Sequence, residues 1–381
     1  MNKYKIPFNK PNFDPKALIY MNDAVAGGHI SGDGKYTALC NNFIKEKLSV
    51  KTCLITHSCT ASLEISALLM DAKIGDEVIM PSYTFVSTAN AFVLRGLLPV
   101  FVDIRFDNCN IDENLIEMAI TKKTKAIVVV HYAGVACEMD KIMAIAKKHN
   151  LLVIEDSAQA FDAKYKNRYL GTIGDIGCFS FHETKNIISG EGGAIVTNCE
   201  DFADRAHIIR EKGTNRTKFF KGLVDKYSWV DVGSSYLPSE LISAFLYSNL
   251  EICDKIKQKR IAIWQKYFNA FLPYFLQEKL FLPTIEEHYQ HNAHLFYLRF
   301  KSEEIRDNFI NHMKENGILT PFHYIALHSS VAGKKFSRFV GSMQVTNEVA
   351  KTLVRLPLFY DLSDFEQDLV IEKAENFIKK L

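Results

Sequence analysis

Residues 177–193 read GCFSFHETKNIISGEGG, and this stretch decides the fold. A short apolar run ends in Ser180, Lys185 follows within five residues, and Gly190-Glu191-Gly192-Gly193 then makes a turn that glycines negotiate easily. About 30 residues upstream a second apolar run, LLVIEDSAQ at 151–159, carries Asp156 at its end. A lysine and a carboxylate at successive strand ends suit pyridoxal phosphate. The lysine amine can condense with the cofactor aldehyde, and the carboxylate can pair with the protonated pyridine nitrogen. Each residue also has an ordinary reading: a loop lysine is commonly solvent-exposed, and a strand-end carboxylate often caps the next helix. Together on neighbouring strands they support each other.

Outward from this pair, LLPVFVDI, KAIVVVHY and LLVIEDSA are apolar, β-branched runs that end in polar residues. Such runs suit parallel strands buried on both faces. EMDKIMAIAKKHN between two of them has helical spacing and predicts a crossover helix, while TASLEISALLMD at 60–71 predicts a buried helix. After about residue 240 the character changes. SELISAFLYSNLEICDKIKQKRIAIWQKYFNAFLPYF predicts a long helical stretch, HLFYLRF a strand, EEIRDNFINHMKENG a helix, and Ser363-Asp364-Phe365-Glu366 opens the last helix with a capping box. The expected architecture is α/β. A large domain over 1–245 holds a mostly parallel sheet, and a smaller α+β domain over 246–381 packs tightly on it.

In an open α/β sheet ligands bind beyond the carboxyl ends of the strands, where Ser82, His131, Asp156 and Lys185 fall. His57-Ser58-Cys59-Thr60-Ala61-Ser62-Leu63 opens a helix whose free N–H groups can hold a phosphate, or Ser58 or Thr60 simply caps it. Ser180 can add a hydroxyl to the same phosphate. Phe85 can stack on a cofactor ring or fill core. Gln159 can bond the ring hydroxyl or cap a helix. His182 and His328 are candidates for substrate contact, although a lone histidine is usually structural.

Composition excludes several classes. The 381 residues are 48% hydrophobic with a net charge of +2 and no long single-sign run, which argues against nucleic acid as a partner. Arg210, Lys212, Arg216 and Lys218 form only a local basic cluster, a solvated face or a contact for a phosphorylated ligand. The first residues, MNKYKIPFNKPNFDP, lack the apolar core of a signal peptide, and no run of about 18 apolar residues predicts a membrane span. Eight scattered cysteines without a CxxC pair read as reduced residues of a cytoplasmic protein, with neither a disulfide framework nor a zinc site. No GxGxxG follows the early strands, which disfavours a nicotinamide enzyme.

Several segments in order carry a resemblance: SCTASL (58–63), GDEVIMPSYTFVSTAN (75–90), VVHYAG (129–134), EDSAQ (155–159), FSFHETKN (179–186) and GEGG (190–193). Through them the chain resembles the DegT/DnrJ/EryC1/StrS family of sugar aminotransferases over essentially its whole length. The resemblance implies the aspartate-aminotransferase type of fold, known as fold type I of the pyridoxal-phosphate enzymes, and a homodimer with active sites at the subunit interface. It implies that Lys185 bonds the cofactor, Asp156 pairs with the pyridine nitrogen, Phe85 stacks on the ring, and Gln159 lies beside it. Thr60, Ala61 and Ser180 would hold the phosphate, and pyridoxamine phosphate would carry the amino group between substrates.

One stretch departs from the family. Many members place an asparagine, reaching across the dimer, in a GYNYR-like segment; here the chain reads GSSYL at 233–237, so Ser235 would offer a hydroxyl instead. The resemblance also suggests Lys212, Asn215 and Arg216 for a sugar-nucleotide site. Related sugar dehydratases carry histidine at the lysine position, so Lys185 favours amination. A non-catalytic regulator would need an added DNA-binding segment. PSYTFVSTANAFVLRG, VHYAGVACEMD, REKGTNR and LPLFY are most similar to members that use L-glutamate and a dTDP-keto-sugar, aminating C4 of dTDP-4-keto-6-deoxy-D-glucose.

Overall fold

In the computed structural model, which describes residues 4–216, 219 and 222–381, alternate residues of the central strands point into two different cores. Ile79, Val100, Val102, Ile127, Val129 and Val153 pack on one side, while Val78, Met80, Phe101, Ala126, Val128 and Ile154 pack on the other. The period of two along a strand turns continuous apolar runs into a sheet covered on both faces.

Thirteen strands are described. They are β1 (Thr52–Thr56), β2 (Glu77–Pro81), β3 (Leu98–Val102), β4 (Thr124–Val130), β5 (Leu152–Asp156), β6 (Lys164–Tyr165), β7 (Arg168–Tyr169), β8 (Ile176–Ser180), β9 (Gly193–Thr197), β10 (Tyr289–Gln290), β11 (Phe296–Arg299), β12 (Arg338–Phe339) and β13 (Leu353–Leu356). The main sheet runs β1-β9-β8-β5-β4-β2-β3-β12. All its neighbours pair in parallel except those of β9, which is antiparallel to both β1 and β8. The reversal follows from the chain path: β8 ends at Ser180, and the glycine turn returns the chain directly into β9 at Gly193.

The helices Cys59–Leu69 and Met139–His149 lie where the apolar spacing puts them, and the last helix, Asp364–Ile378, starts on the complete Ser363/Glu366 capping box. The long helical stretch is two helices, Glu240–Glu251 and Cys253–Leu276, broken at Ile252. The expected boundary at 245/246 falls inside the first of them. The C-terminal part forms its own two-stranded sheet, β11-β13. It also lends β12 to the edge of the main sheet beside β3. Tyr289, Leu295, Tyr297, Val349 and Leu353 share a core with the sheet residues, so apolar packing joins the two parts. Seven of the eight cysteines are buried, Cys199 is exposed, and all are free thiols. Among the described residues no helix is long and apolar enough to cross a membrane.

Candidate active site

Val130, Asp156 and Ser180 are the last residues of three adjacent parallel strands, and all three line one cavity of about 590 Å³. Lys185, Gln159, Thr60, Phe85 and His182 line it too, so most of the residues singled out in the sequence meet at one place.

The loop that carries Lys185 is closed on itself. Phe181 N–H donates to Gly192 O (2.8 Å), Ser189 N–H to Phe181 O (2.7 Å), Glu183 N–H to Gly190 O (2.9 Å), and Lys185 N–H to His182 O (2.9 Å). Gly190 has φ +80°, a value the glycine supplies without strain. Side chains pin the loop from outside: Asn186 Nδ2 donates to Asn292 O at 2.8 Å, and Asn9 Nδ2 to Glu183 O at 3.0 Å. Burial pushes the Lys185 pKa below the ordinary lysine value, against the pull of Cys59 and Asp156. A lysine so placed reaches its neutral, nucleophilic form more readily.

Asp156 is buried at the end of β5. Its Oδ2 accepts from Thr88 Oγ1 at 2.7 Å and its Oδ1 from Ala158 N–H at 3.1 Å. Burial raises its pKa, while Thr88, the Ala158 N–H, Lys185 and His131 act to lower it. Gln159 is fixed at both ends: its Oε1 accepts from Ala133 N–H at 2.7 Å, and its Nε2 donates to Tyr324 Oη at 3.1 Å.

Ser58 caps the helix Cys59–Leu69, its Oγ accepting from Ala61 N–H at 3.1 Å, and Thr60 Oγ1 donates to Ser87 Oγ at 2.9 Å. The helix N-terminus faces the cavity through Ser58, Cys59 and Thr60. Phe85 lines the cavity and is 57% exposed, its ring centroid 6.3 Å from that of Tyr324. These groups fit pyridoxal phosphate. A helix N-terminus with hydroxyls suits the phosphate, a buried carboxylate suits a pyridinium, an exposed aromatic suits a flat ring, and a lysine suits the aldehyde.

Several of the expected site residues do not line the cavity, Ser82, His131, Lys212 and Asn215 among them. Ala61 is buried behind the helix start with its N–H committed to Ser58. His328 is held against Ser82, whose Oγ lies 2.7 Å from its Nδ1, and packs on Phe339 instead of facing the cavity. Ser235 is exposed and bridges to Glu211 through its backbone. Arg216 pairs with Glu211 at 3.5 Å, and Lys218 lies outside the described residues. Of the aromatics, Tyr83 and Tyr132 form a buried cluster behind Tyr324, and Phe181 fills a separate core.

The site also contains residues the motifs did not single out. Thr88, in the first turn of the helix Val86–Val93, holds Asp156. His294, His323 and Arg355 come from the C-terminal part, and Phe8 and Asn9 from near the start of the chain. Burial holds both histidines well below the usual histidine range, so they are neutral at physiological pH. The polar ends of these strands and the TAN segment after Phe85 were visible in sequence; the C-terminal contributors carried no local pattern.

A doubly covered, mainly parallel sheet with one reversed strand, and a lysine and a buried carboxylate at one rim, define an aminotransferase of fold type I. The model of the DegT/DnrJ/EryC1/StrS aminotransferase family matches residues 12–375, and the chain belongs to that family. It is 36% identical over 355 residues to an uncharacterized protein of Methanocaldococcus jannaschii, covering 91% of this chain and 89% of that one. It is 30% identical over 381 residues to the GDP-perosamine synthase of Escherichia coli O157:H7, covering 98% of each. Among solved structures it is similar to S. venezuelae DesV, determined in complex with a ketimine intermediate. There the TM-score is 0.90 and the identity 26%, with 99% of each chain covered. The cofactor is pyridoxal phosphate, and the activity is that of a sugar aminotransferase.

Proposed function

We propose that the chain transfers the amino group of L-glutamate to C4 of dTDP-4-keto-6-deoxy-D-glucose. The product is dTDP-4-amino-4,6-dideoxy-D-galactose, used for cell-surface polysaccharide. The observation that carries the transamination is Lys185 lining one cavity with Asp156 and the exposed Phe85. Pyridoxal phosphate supplies the electron sink and carries nitrogen between the two substrates. Lys185 Nζ would serve as the base and acid that moves a proton at the donor Cα and then, in reverse, at C4 of the sugar. Asp156, whose ionised form Thr88 and the Ala158 N–H favour against burial, would pair with the pyridine nitrogen and favour its protonated form. Burial favours the neutral lysine that this proton transfer requires.

The choice of sugar is supported by the order and wording of the motifs around 81–96, 130–140 and 356–360. The cavity is large enough for a monosaccharide beside the cofactor, and Tyr324, Leu356 and Leu358 give it an apolar wall for a 6-deoxy carbon. The relative named as a GDP-perosamine synthase makes the nucleotide base the point to test. This reading includes a homodimer in which residues 233–237 of one copy approach the cavity of the other. Full activity from a species that light scattering shows to be monomeric would overturn that part.

The enzyme, loaded with pyridoxal phosphate, is given glutamate and a panel of keto-sugar nucleotides, and the products are identified by NMR. The expected result is amination at C4 of the dTDP-4-keto sugar with galacto configuration. Preference for the 3-keto isomer, a gluco product, or a GDP-linked substrate overturns the specific assignment.

A further inference from the structure

We infer that His294 is a positioning residue for Lys185: its Nε2 lone pair accepts a hydrogen bond from the lysine amine while the lysine is free of the cofactor. His294 lies just before β11 and lines the same cavity as Lys185. Buried contacts fix its backbone. The preceding Ala293 takes φ +51°, in the left-handed region that an alanine adopts only where its surroundings impose it. Arg260, buried in the helix Cys253–Leu276, donates Nε to Ala293 O at 3.1 Å and Nη2 to His294 O at 2.5 Å. Asn292 Nδ2 donates to Gln159 O at 3.0 Å and to Phe161 O at 2.9 Å.

Asn186, the residue after Lys185, fixes where the His294 proton sits. Asn186 Nδ2 donates to Asn292 O at 2.8 Å, which leaves its Oδ1 as an acceptor. His294 Nδ1 lies 3.0 Å from that Oδ1, so Nδ1 is the ring's N–H. Burial keeps the ring neutral, so Nε2 carries no proton and only accepts. Among the described residues no hydrogen bond engages Nε2. His323 allows no such assignment, because its Nδ1 meets Tyr132 Oη at 2.9 Å and a phenol both donates and accepts.

Lys185 is the donor best placed to meet that lone pair. It adjoins Asn186 in the chain and shares the cavity with His294. After burial, Lys185 is the strongest influence on the His294 ring, ahead of Arg260 and Arg355. The groups that act on Lys185 itself are Cys59, Asp156 and Arg355, and the Asp156 oxygens are already engaged by Thr88 and the Ala158 N–H. Chemistry favours a neutral acceptor here. A carboxylate would hold the lysine as an ammonium and quench it as a base. A neutral imidazole takes a hydrogen bond from the amine without competing for the proton, so the amine keeps its own lone pair for the substrate carbon. The proton moves between that carbon and Nζ, and none passes to Nε2.

This inference rests on the transamination reading, and its test separates the two. His294→Leu and His294→Gln are compared with the parent. Lys185 is acylated with trace acetic anhydride across pH, in enzyme loaded with pyridoxamine phosphate and in enzyme without cofactor, and its labelling is read by mass spectrometry. An ammonium donates a stronger hydrogen bond than an amine, so losing the acceptor favours the neutral lysine. His294→Leu should lower the labelling midpoint by about one pH unit, and His294→Gln, which returns an acceptor, should undo part of that shift. In the glutamate and keto-sugar half-reactions alike, His294→Leu should lower kcat by about tenfold or more and leave KM within about threefold. An unchanged midpoint overturns the inference, as does a loss confined to the KM of one substrate, which would make His294 a substrate contact. Should no keto sugar be aminated, the labelling midpoint and the glutamate half-reaction still decide the role of His294. Should His294→Leu not fold, nitrogen NMR of isotope-labelled histidine in the parent decides it. His294 should be protonated at Nδ1 and bare at Nε2, with an Nε2 shift that follows the titration of Lys185; the opposite tautomer, or an Nε2 indifferent to that titration, overturns the inference.

Discussion

Thr88 donates its hydroxyl to Asp156 Oδ2 at 2.7 Å and in turn accepts from Thr84 Oγ1 at 2.8 Å. The direction is fixed, because an ionised carboxylate only accepts. All three side chains are buried, so the relay acts where solvent cannot substitute for it. Thr88→Val keeps the shape and removes the donor. A buried hydrogen bond to a charged group contributes about 1.5–3 kcal/mol. Turnover should fall by roughly 10- to 100-fold, and the pH dependence of the bound cofactor's absorbance should shift toward a weaker acid at Asp156. A variant with the parent's rate and spectrum would mean that the relay does not hold the carboxylate ionised.

Asp156→Asn should have opposite effects on stability and on activity. Burial raises the Asp156 pKa above its ordinary value. For a group shifted that way, the favourable contribution is present below about pH 3.9 and is lost as pH rises through the folded value. At neutral pH the buried charge therefore costs stability in enzyme without cofactor. Asn removes that charge, so the cofactor-free variant should melt a few degrees higher at pH 7, with the gain shrinking toward pH 4. Its turnover with cofactor should drop by more than about 100-fold, because an amide cannot keep the pyridine protonated. Thermal melts across pH, with and without cofactor, check both halves.

Lys185→Ala should abolish turnover, by more than about 1,000-fold, and leave the fold intact. Burial depresses the Lys185 pKa. Such a group contributes stability above its unfolded value, and the contribution is lost as pH falls through the folded one. Removing it should therefore raise the melting temperature of cofactor-free enzyme near neutral pH. Retention of more than a few percent of the parent rate would end the catalytic assignment.

Legibility in the sequence followed chemistry that is local. Asp156 and Ser180 were readable as strand ends because each closes a run buried on both faces, and Lys185 because a glycine turn follows it. Arg355 was not readable. It interrupts β13 as one polar residue among apolar ones, and only the β11-β13 pairing and the packing of Phe8 aim it at the cavity. Tyr83 and Tyr132 follow the ends of β2 and β4, where side chains can wall a pocket. The structure instead buries them under Tyr324, since a tyrosine at a strand end can point back into the core. The break at Ile252 left no mark in the apolar spacing, and β12 joins the sheet where Arg338 meets Glu77 at 2.9 Å, 261 residues away in the chain.

Gly193 should matter for the cofactor more than for the fold. It opens β9, pairing with Ser180 on one side and Thr56 on the other. Its φ is not in the left-handed region, so an alanine is conformationally acceptable there. The obstacle is steric: a Cβ would lie 2.4 Å from the Ser58 carbonyl carbon and 2.5 Å from Cys59 N. Both are backbone atoms at the start of the helix that faces the cavity, so no rotamer change relieves the contact. The sheet holds β9 from both sides, whereas the helix start has only its cap and its packing to hold it. Gly193→Ala should therefore push the helix N-terminus outward and misalign the N–H groups suited to the phosphate. The dissociation constant for pyridoxal phosphate should rise by about tenfold or more, the loss of roughly 1.4 kcal/mol or more of anion binding. Fluorescence titration of cofactor-free enzyme measures this directly, and an unchanged constant would remove the helix start from the cofactor site.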